Sequence, residues 1–494
     1  MAHPRIIQGG MGIGVSDWKL ANSVAAQGAL GVVSGTALDS VLARRLEQGD
    51  QGGHMRRGLA AFPDRTVADR ILATWFRPDG TPETHDFSVL PMRTVGSADS
   101  PVNDPATIFG NDELDALTVV ANFVEVYLAK EGHSGVVGIN FLEKVQLPNP
   151  AAIYGAMLAG VDYVLMGAGI PLEIPGLLDR YARGESGAIR VQVEGAAKDE
   201  ILTVCFDPSR VIAAPPPALK RPYFLAIVSS YILAMTMVTR ASGVVDGIVV
   251  ENHTAGGHNA PPRGVLSLDG SGEPIYGPKD TVDYAKMVGL GVPFWLGGSY
   301  SRKESLSSAD TEGAAGIQVG TLFAFCSESG LLPELKKRFL EALSDGHLSV
   351  LTHPRASPTG YPFKLALLGE TLSEKRDFLA RKRVCNVGLL RELFRKSDGS
   401  IGYRCPAEGE ASYATKGGAG EKAGEARCLC NALLANIGLG MKYAGERLEQ
   451  PLLTVGNQLE SLRLLVAKCG MQYSARDVIA FLESGAKTRT AAQG

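Results

Sequence analysis

The sequence predicts an α/β protein. The expected architecture is a (β/α)8 barrel over residues 1–345, with insertions near 50–130 and 185–215, and a mainly helical C-terminal extension over 346–494 packed on it. Three observations carry this expectation. Short apolar runs rich in Val, Ile and Leu recur with little alternation, as in strands covered on both faces of a parallel sheet. Most of them are followed by a helical pattern, the βα rhythm of a barrel. Glycine is in surplus, 59 of 494 residues, against a usual share of about 7 %. Many of these glycines stand just after the apolar runs.

The runs are Arg5–Gln8, Gly31–Val33, Val136–Ile139, Tyr163–Met166, Tyr223–Val228, Gly247–Val250, Pro293–Leu296 and Ala315–Val319. After the first, Ser16 is the expected cap of a helix with Leu20, Ala21, Val24 and Ala25 on one face. A Pro/Asp/Thr-rich stretch (78–105) and a strong helix, Asp112 to Lys130, separate the second run from the third. Pro150 to Gly160 reads as a helix closed by its glycine. Ile189–Glu194 and Ile201–Phe206 alternate and read as a β-hairpin outside the barrel. Phe224 to Val238 is too short to span a bilayer and reads as a buried strand entering a helix. Ser301 to Ala309 fits a short helix. The extension reads as a helix over Leu331–Leu343, a Pro/Gly loop (354–362), a basic stretch (375–383), a Gly/Ala/Glu-rich loop (407–425) and apolar helical segments to Leu482.

Formal net charge is −3 and 45 % of residues are hydrophobic. That composition excludes wholesale disorder and gives no reason to expect nucleic acid as a partner. The first ten residues lack a charged region followed by an apolar one. With few, irregularly spaced cysteines, this points to a cytoplasmic protein that does not insert into a membrane. Self-association into a homo-oligomer is left open.

Barrel active sites lie just after the C-terminal ends of the strands. Those positions hold Gln8-Gly-Gly-Met-Gly-Ile-Gly14, Asn140, Met166-Gly167, Ser229, Ala255-Gly-Gly-His258, Gly297-Gly298 and Gln318-Val-Gly-Thr321. Bare glycine on one edge suits a flat ligand pressed on backbone. Loops after strands seven and eight commonly hold phosphate. Gly12-x-Gly14 lacks the third glycine of a dinucleotide fingerprint, since Asp17 stands in its place. A mononucleotide such as FMN therefore fits better than NAD. The cofactor-binding candidates are Gly10, Met11, Gly12, Asn140, Met166, Gly167, Ser229, Ala255, Gly256, Gly257, Gly297, Gly298, Gln318, Gly320 and Thr321; the catalytic candidate is His258.

Gln8-Gly-Gly-Met-Gly, Ala255-Gly-Gly-His258 and Ala314-Ala-Gly-Ile-Gln-Val-Gly-Thr-Leu-Phe323, in this order and spacing, resemble the motifs of the nitronate monooxygenase family, formerly the 2-nitropropane dioxygenases. The resemblance covers roughly residues 5–345, and Thr-Ala-Gly-Gly-His-Asn-Ala-Pro-Pro-Arg-Gly is similar to a longer branch with a C-terminal extension. It implies an FMN-binding TIM barrel, with His258 as the base beside the flavin. It also implies phosphate on Gly297, Gly298, Gly320 and Thr321, and Asn140, Met11 and Gln318 near the ring or ribityl chain. The implied activity is oxidation of nitronates, nitroalkanes or related carbon acids, with O2 accepting the electrons. Two alternatives stand beside it: an NAD(P)H-dependent enoyl-thioester reductase, and a non-catalytic flavoprotein or interaction subunit. Shorter relatives often carry an acidic residue where this chain has Thr254, which leaves the substrate pocket open. His253 reads as structural or as a substrate contact. Arg56, Arg57 and Arg263 are candidates for an anionic group or for solvated surface. Cys385, Cys405, Cys428 and Cys430 read as buried thiols or as ligands of zinc or an iron–sulfur centre; no metal ligand is assigned.

Overall fold

The computed structural model describes residues 3–82, 85–93, 107–109, 111–213, 218–443 and 447–485. Eight parallel strands form its central sheet: β1 (Ile6–Gln8), β2 (Gly31–Ser34), β3 (Val137–Leu142), β4 (Tyr163–Gly167), β5 (Tyr223–Val228), β6 (Gly247–Glu251), β7 (Phe294–Gly297) and β8 (Gly316–Val319). Their order is β1-β8-β7-β6-β5-β4-β3-β2. A parallel bridge between Ile7 and Leu30 joins β1 to the chain entering β2, with Gln8 N–H donating to Leu30 O at 3.0 Å. The sheet is thus closed into a (β/α)8 barrel. All eight expected strands are present. Five of them, β2, β3, β4, β6 and β7, run on past their expected C-terminal ends, to Ser34, Leu142, Gly167, Glu251 and Gly297.

Side-chain parity sets what lies inside. Ile7, Val32, Leu165, Leu225, Val249 and Trp295 belong to one cluster in the barrel interior. Their neighbours on the other face, among them Val164, Met166 and Ile248, join the larger core under the helices. Successive side chains alternate across a strand. The inward positions two residues further on are therefore Gly9, Gly167, Ile227, Glu251 and Gly297, with Asn140 and Gln318 in step on β3 and β8. These make the floor of the C-terminal face.

Helix α1 (Trp18–Ala26) follows β1 and buries Leu20, Ala21, Val24 and Ala25, as the apolar spacing requires. Its cap is Asp17, not the expected Ser16: the Asp17 carboxylate accepts from the Lys19 and Leu20 N–H groups. The Ser16 hydroxyl instead donates to Gly9 O and accepts from Met11 N–H, shaping the first glycine loop. Helix α2 (Leu38–Glu47) follows β2. The expected long helix is α3 (Asp112–Lys130), capped by Asn111 and buried on nearly every side. Its Glu125 accepts from Trp18 N–H and pairs with Arg45, which also pairs with Asp17. Residues 94–105 of the Pro/Asp/Thr-rich stretch lie outside the described residues. Helices α4 (Asn149–Leu158), α5 (Ile174–Ala182), α6 (Tyr231–Arg240), α7 (Tyr284–Val288) and α8 (Ser305–Thr311) follow β3 to β7 in turn. The hairpin outside the barrel pairs Gly187–Arg190 with Thr203–Phe206.

After helix Pro333–Ser344 the chain is more mixed than the helical pattern suggests. It holds an antiparallel pair, Ser349–His353 with Phe363–Leu367, and a second, Glu392–Arg395 with Ile401–Arg404, which borrows Val193–Glu194 from the barrel side. The expected loop over 407–425 contains the short helices Glu410–Thr415 and Gly420–Ala423. Helices Leu429–Ala435, Glu460–Cys469 and Ala475–Glu483 follow. Among the described residues no helix is long and apolar enough to cross a membrane.

Candidate active site

A cavity of about 240 Å³ opens at the C-terminal face of the barrel. The barrel supplies its floor: Asn140 from β3, Ile227 from β5, Glu251 from β6 and Gln318 from β8. Gly9, Gly10, Gly12, Gly256, Gly257, Gly298 and Gly320 bring backbone to its wall. Of the residues expected from sequence, Gly10, Met11, Gly12, Asn140, Gly167, Ala255, Gly256, Gly257, His258, Gly298, Gln318, Gly320 and Thr321 line this one space. Three lie off it. Met166 faces the helices, because parity on β4 turns Leu165 inward. Ser229 lies past the end of β5, whose cavity residue is Ile227. Gly297 is level with Glu251 and Gln318 but does not line the cavity, and a Cβ there would meet the Glu251 side chain at 3.5 Å.

Two glycines have clear reasons. A Cβ on Gly10 would lie 2.4 Å from the Asn140 Cβ. Gly298 has φ +82°, and a Cβ there would meet Asn252 Oδ1 at 2.4 Å. Asn252 Nδ2 donates to Gly298 O at 3.1 Å, and Ser299 Oγ donates to Thr254 Oγ1 at 2.6 Å. The loops after β6 and β7 are thereby tied together. Thr254 is one link of that tie.

His258 lines the cavity and shares a 2.7 Å hydrogen bond between its Nε2 and Ser357 Oγ. Ser357 Oγ in turn lies 2.8 Å from Thr359 Oγ1. The imidazole also packs edge-on against Phe363, with ring centroids 4.9 Å apart. The surface it keeps faces the cavity. Enclosure by protein drives its pKa down to about 4, so it is neutral at neutral pH. Glu251 accepts from Gln318 Nε2 at 3.1 Å. Burial pushes its carboxyl up to about 7. The Asn140 Oδ1 and Gln318 Oε1 acceptors are buried and find no donor among the described residues. Such atoms at the floor of a cavity call for a ligand's N–H or O–H groups.

The remaining wall comes from the extension. Phe363, Leu433, Asn436 and the segment Leu453–Gly456 line the same cavity. This segment lies across the loops that sequence assigned to the ligand. Gly257 N–H donates to Thr454 Oγ1 at 2.7 Å, and Gly456 N–H donates to Thr321 Oγ1 at 3.0 Å. Asn457 N–H donates to Thr254 O at 3.0 Å. The Thr321 hydroxyl, expected at a phosphate, therefore already has a partner in the chain. Sequence reasoning missed this strap and Glu251. Pro451-Leu-Leu-Thr-Val-Gly456 has no periodicity that marks it, whereas the Glu251 parity could be read from the β6 run.

The strap makes a prediction. In Gly256→Ala the new Cβ would come within 2.9 Å of the Val455 carbonyl carbon. Backbone cannot yield as a side-chain tip can, and overpacking of this kind costs about 1–3 kcal/mol. The variant should lose roughly tenfold or more in affinity for whatever the cavity binds. Isothermal titration checks this; unchanged affinity would show that the strap plays no part in binding.

The other candidates lie elsewhere. His253 stacks on Tyr276 with centroids 3.8 Å apart, which is a structural contact. Arg56 pairs with Asp50 and Arg57 with Glu131. Arg263 is exposed, with its own N–H donating to Asp280.

No protein-family model and no curated protein sequence matches the chain. Similar solved structures include FabK from Thermotoga maritima, at 15 % identity and TM-score 0.47, covering 98 % of this chain and 93 % of that one. Another is a nitroalkane oxidase from Streptomyces ansochromogenes, at 13 % and 0.44, covering 97 % and 96 %. A third is the enoyl reductase domain of MlnA from the macrolactin biosynthesis cluster of Bacillus amyloliquefaciens, at 10 % and 0.44, covering 97 % and 92 %.

Proposed function

We propose that the protein is an FMN-dependent oxidoreductase that oxidises nitronates, nitroalkanes or related activated carbon acids, with O2 as electron acceptor. The observation that carries this reading is His258, with an imidazole uncharged at neutral pH, in the wall of a glycine-rich cavity whose floor holds two acceptors without a donor among the described residues. The residues present fit the cofactor. Gly10–Gly12, Ala255–Gly257 and Gly298 leave backbone for a flat ring, and Asn140 Oδ1 and Gln318 Oε1 await donors of the kind a flavin ring or ribityl chain carries. The loops at Gly298 and Gly320 would take the phosphate.

FMN, when bound, supplies the redox chemistry by accepting electrons from the substrate and passing them to O2. The chain supplies placement and proton transfer. His258, uncharged at neutral pH, takes the proton from the carbon next to the activating group. Ser357 and Thr359 hold the imidazole from behind and lead away from it. The strap and the Phe363 ring limit water at the reacting carbon. Glu251, held largely protonated below about pH 7, can place a neutral O–H donor at the floor.

The purified protein should be yellow, with flavin absorbance near about 370 and 450 nm carried by the cofactor itself. It should turn over nitronates in air without NAD(P)H. Rapid anaerobic bleaching by NAD(P)H followed by reoxidation with an enoyl thioester would replace this reading with the reductase. A flavin that no donor reduces would replace it with a binding role.

A further inference from the structure

The loop of the hairpin Ser349–His353/Phe363–Leu367 reaches past His258 to a second cavity. Its Ser357 is buried and its Thr359 half-buried. Thr359 lines this second space, of about 220 Å³, which lies between the barrel and the extension and shares no lining residue with the first. Lys144, Gln146, Gln192 and Tyr403 give it a polar side, and the exposed Gln192 brings it to solvent. A polar space of that size holds several waters, each needing roughly 10–15 Å³. His258 therefore lines one cavity and Thr359 the other, with Ser357 between them.

The hydrogen bonds across this wall are continuous. His258 Nε2 and Ser357 Oγ are 2.7 Å apart, and Ser357 Oγ and Thr359 Oγ1 are 2.8 Å apart. Ser357 Oγ also accepts from Thr359 N–H at 3.2 Å. A hydroxyl has one O–H to donate and two lone pairs to accept with. The Thr359 amide takes one lone pair, so the other lone pair and the O–H must serve the ring and the Thr359 hydroxyl. Only two settings satisfy this. In the first, Nε2–H donates to Ser357 and Ser357 donates to Thr359 Oγ1, which leaves the Nδ1 lone pair as a base. In the second, Thr359 donates to Ser357 and Ser357 donates to Nε2, which puts the ring proton on Nδ1. The two settings interconvert by moving protons along the chain. Among the described residues Nδ1 has no hydrogen-bond partner, so it is the nitrogen left for a ligand.

We propose that Ser357 and Thr359 form a proton relay, which carries the proton that His258 takes from substrate across this wall to water in the second cavity. The relay rests on the reading of His258 as the base and supplies the route by which that base is discharged. The substrate carbon gives its proton to Nδ1 and keeps the electron pair of the C–H bond. The Nε2 proton passes to Ser357 Oγ, the Ser357 proton to Thr359 Oγ1, and the Thr359 proton to water. Each hydroxyl ends with one proton, the imidazole ends neutral in the second setting, and one hydronium ion leaves. Oxygen takes up protons when it accepts the substrate's electrons. The Nδ1 proton passing to that oxygen, with water reprotonating Thr359 and the chain behind it, restores the first setting. The enclosed imidazole is a weak base and gives up its proton readily, which suits the route. Release on the far side of the wall also keeps the proton away from the carbanion it came from.

The test reads the tautomer first. In the full chain with isotope-labelled histidine, nitrogen NMR at neutral pH should find the His258 proton on Nε2, the signal being assigned by its loss in His258→Ala. Thr359→Val removes the acceptor beyond Ser357 and should turn the Ser357 hydroxyl toward the ring, moving the proton to Nδ1. Thr359→Ser should restore Nε2–H. A wild-type proton on Nδ1, or an unaltered tautomer in Thr359→Val, overturns the relay. This readout needs no turnover, so a protein that oxidises no nitroalkane loses the functional reading, and the tautomer still decides whether the hydroxyl chain is built. On nitroalkane, Thr359→Val should lose at least about tenfold in kcat/KM, a part of what a positioned base supplies. It should lose far less on preformed nitronate, and Thr359→Ser should recover the nitroalkane rate. Equal losses on the two substrates would make Thr359 a structural residue and overturn the relay.

Discussion

His258→Ala is expected to retain flavin and to lose about 10²–10⁴-fold in kcat/KM on a neutral nitroalkane, the usual contribution of a positioned general base. On the preformed nitronate the loss should be far smaller, because that substrate has no carbon-bound proton left to remove. The reason lies in the protonation state. Enclosure holds the His258 pKa at about 4, so the imidazole is a free base from pH 5 upward. The wild-type rate on nitroalkane should therefore fall on the acid side only as pH approaches 4, subject to flavin retention there. Truncation removes one ring and its bond to Ser357, which is 2.7 Å long, and leaves the backbone rim in place. Steady-state kinetics on both substrate forms decides it. Equal losses on the two forms would remove His258 from the role of base.

Glu251→Gln should change how stability depends on pH. The Glu251 carboxyl is pushed from 4.5 to about 7 in the folded protein by burial. The sign follows from linkage. A group whose folded pKa is raised contributes stability that is fully present below its unfolded pKa, near 4.5, and is lost as pH rises through 7. Wild type should thus weaken between pH 5 and pH 8 for this reason, and the glutamine variant should not. Since part of the side chain faces the cavity, solvent there reduces the full shift. The gain of the variant over wild type should grow by roughly 2 kcal/mol between those two pH values. Denaturant midpoints at pH 5 and pH 8 measure it. A constant difference between the two proteins would mean that Glu251 stays charged in the fold.

The barrel was legible because its signals are local. Each strand is a short run of Val, Ile and Leu bounded by polar or glycine residues, and the helix over 112–130 has its own cap and length. The ends of those runs located most of the candidate site, since a barrel sets its strand termini on one face. The misses have equally local causes. Ser16 and Asp17 are both good caps, and only the geometry of the Gly9–Met11 turn assigns them different tasks. Met166 was off by one because its strand's parity is set by neighbours on both sides, through the register of Leu165 with Leu225.

The extension shows the opposite case. Its two hairpins pair segments whose alternation is weak, and their pairing depends on the surfaces they meet. Phe363 is one strand partner of His353, and it also packs on His258. Cys385, Cys405, Cys428 and Cys430 are scattered in the sequence and share a cavity only once three loops have folded back. Sequence by itself determined the barrel, the face of it on which the cavity opens, and the histidine that stands among the glycines there. Each of these depends on periodicity within a few residues. Tertiary structure alone decided that the strap Leu453–Gly456 covers that edge, that Glu251 is enclosed beside Gln318, and that Ser357 holds His258. Those contacts join residues far apart in the chain, and their energies depend on burial and hydrogen-bond geometry that no local pattern encodes.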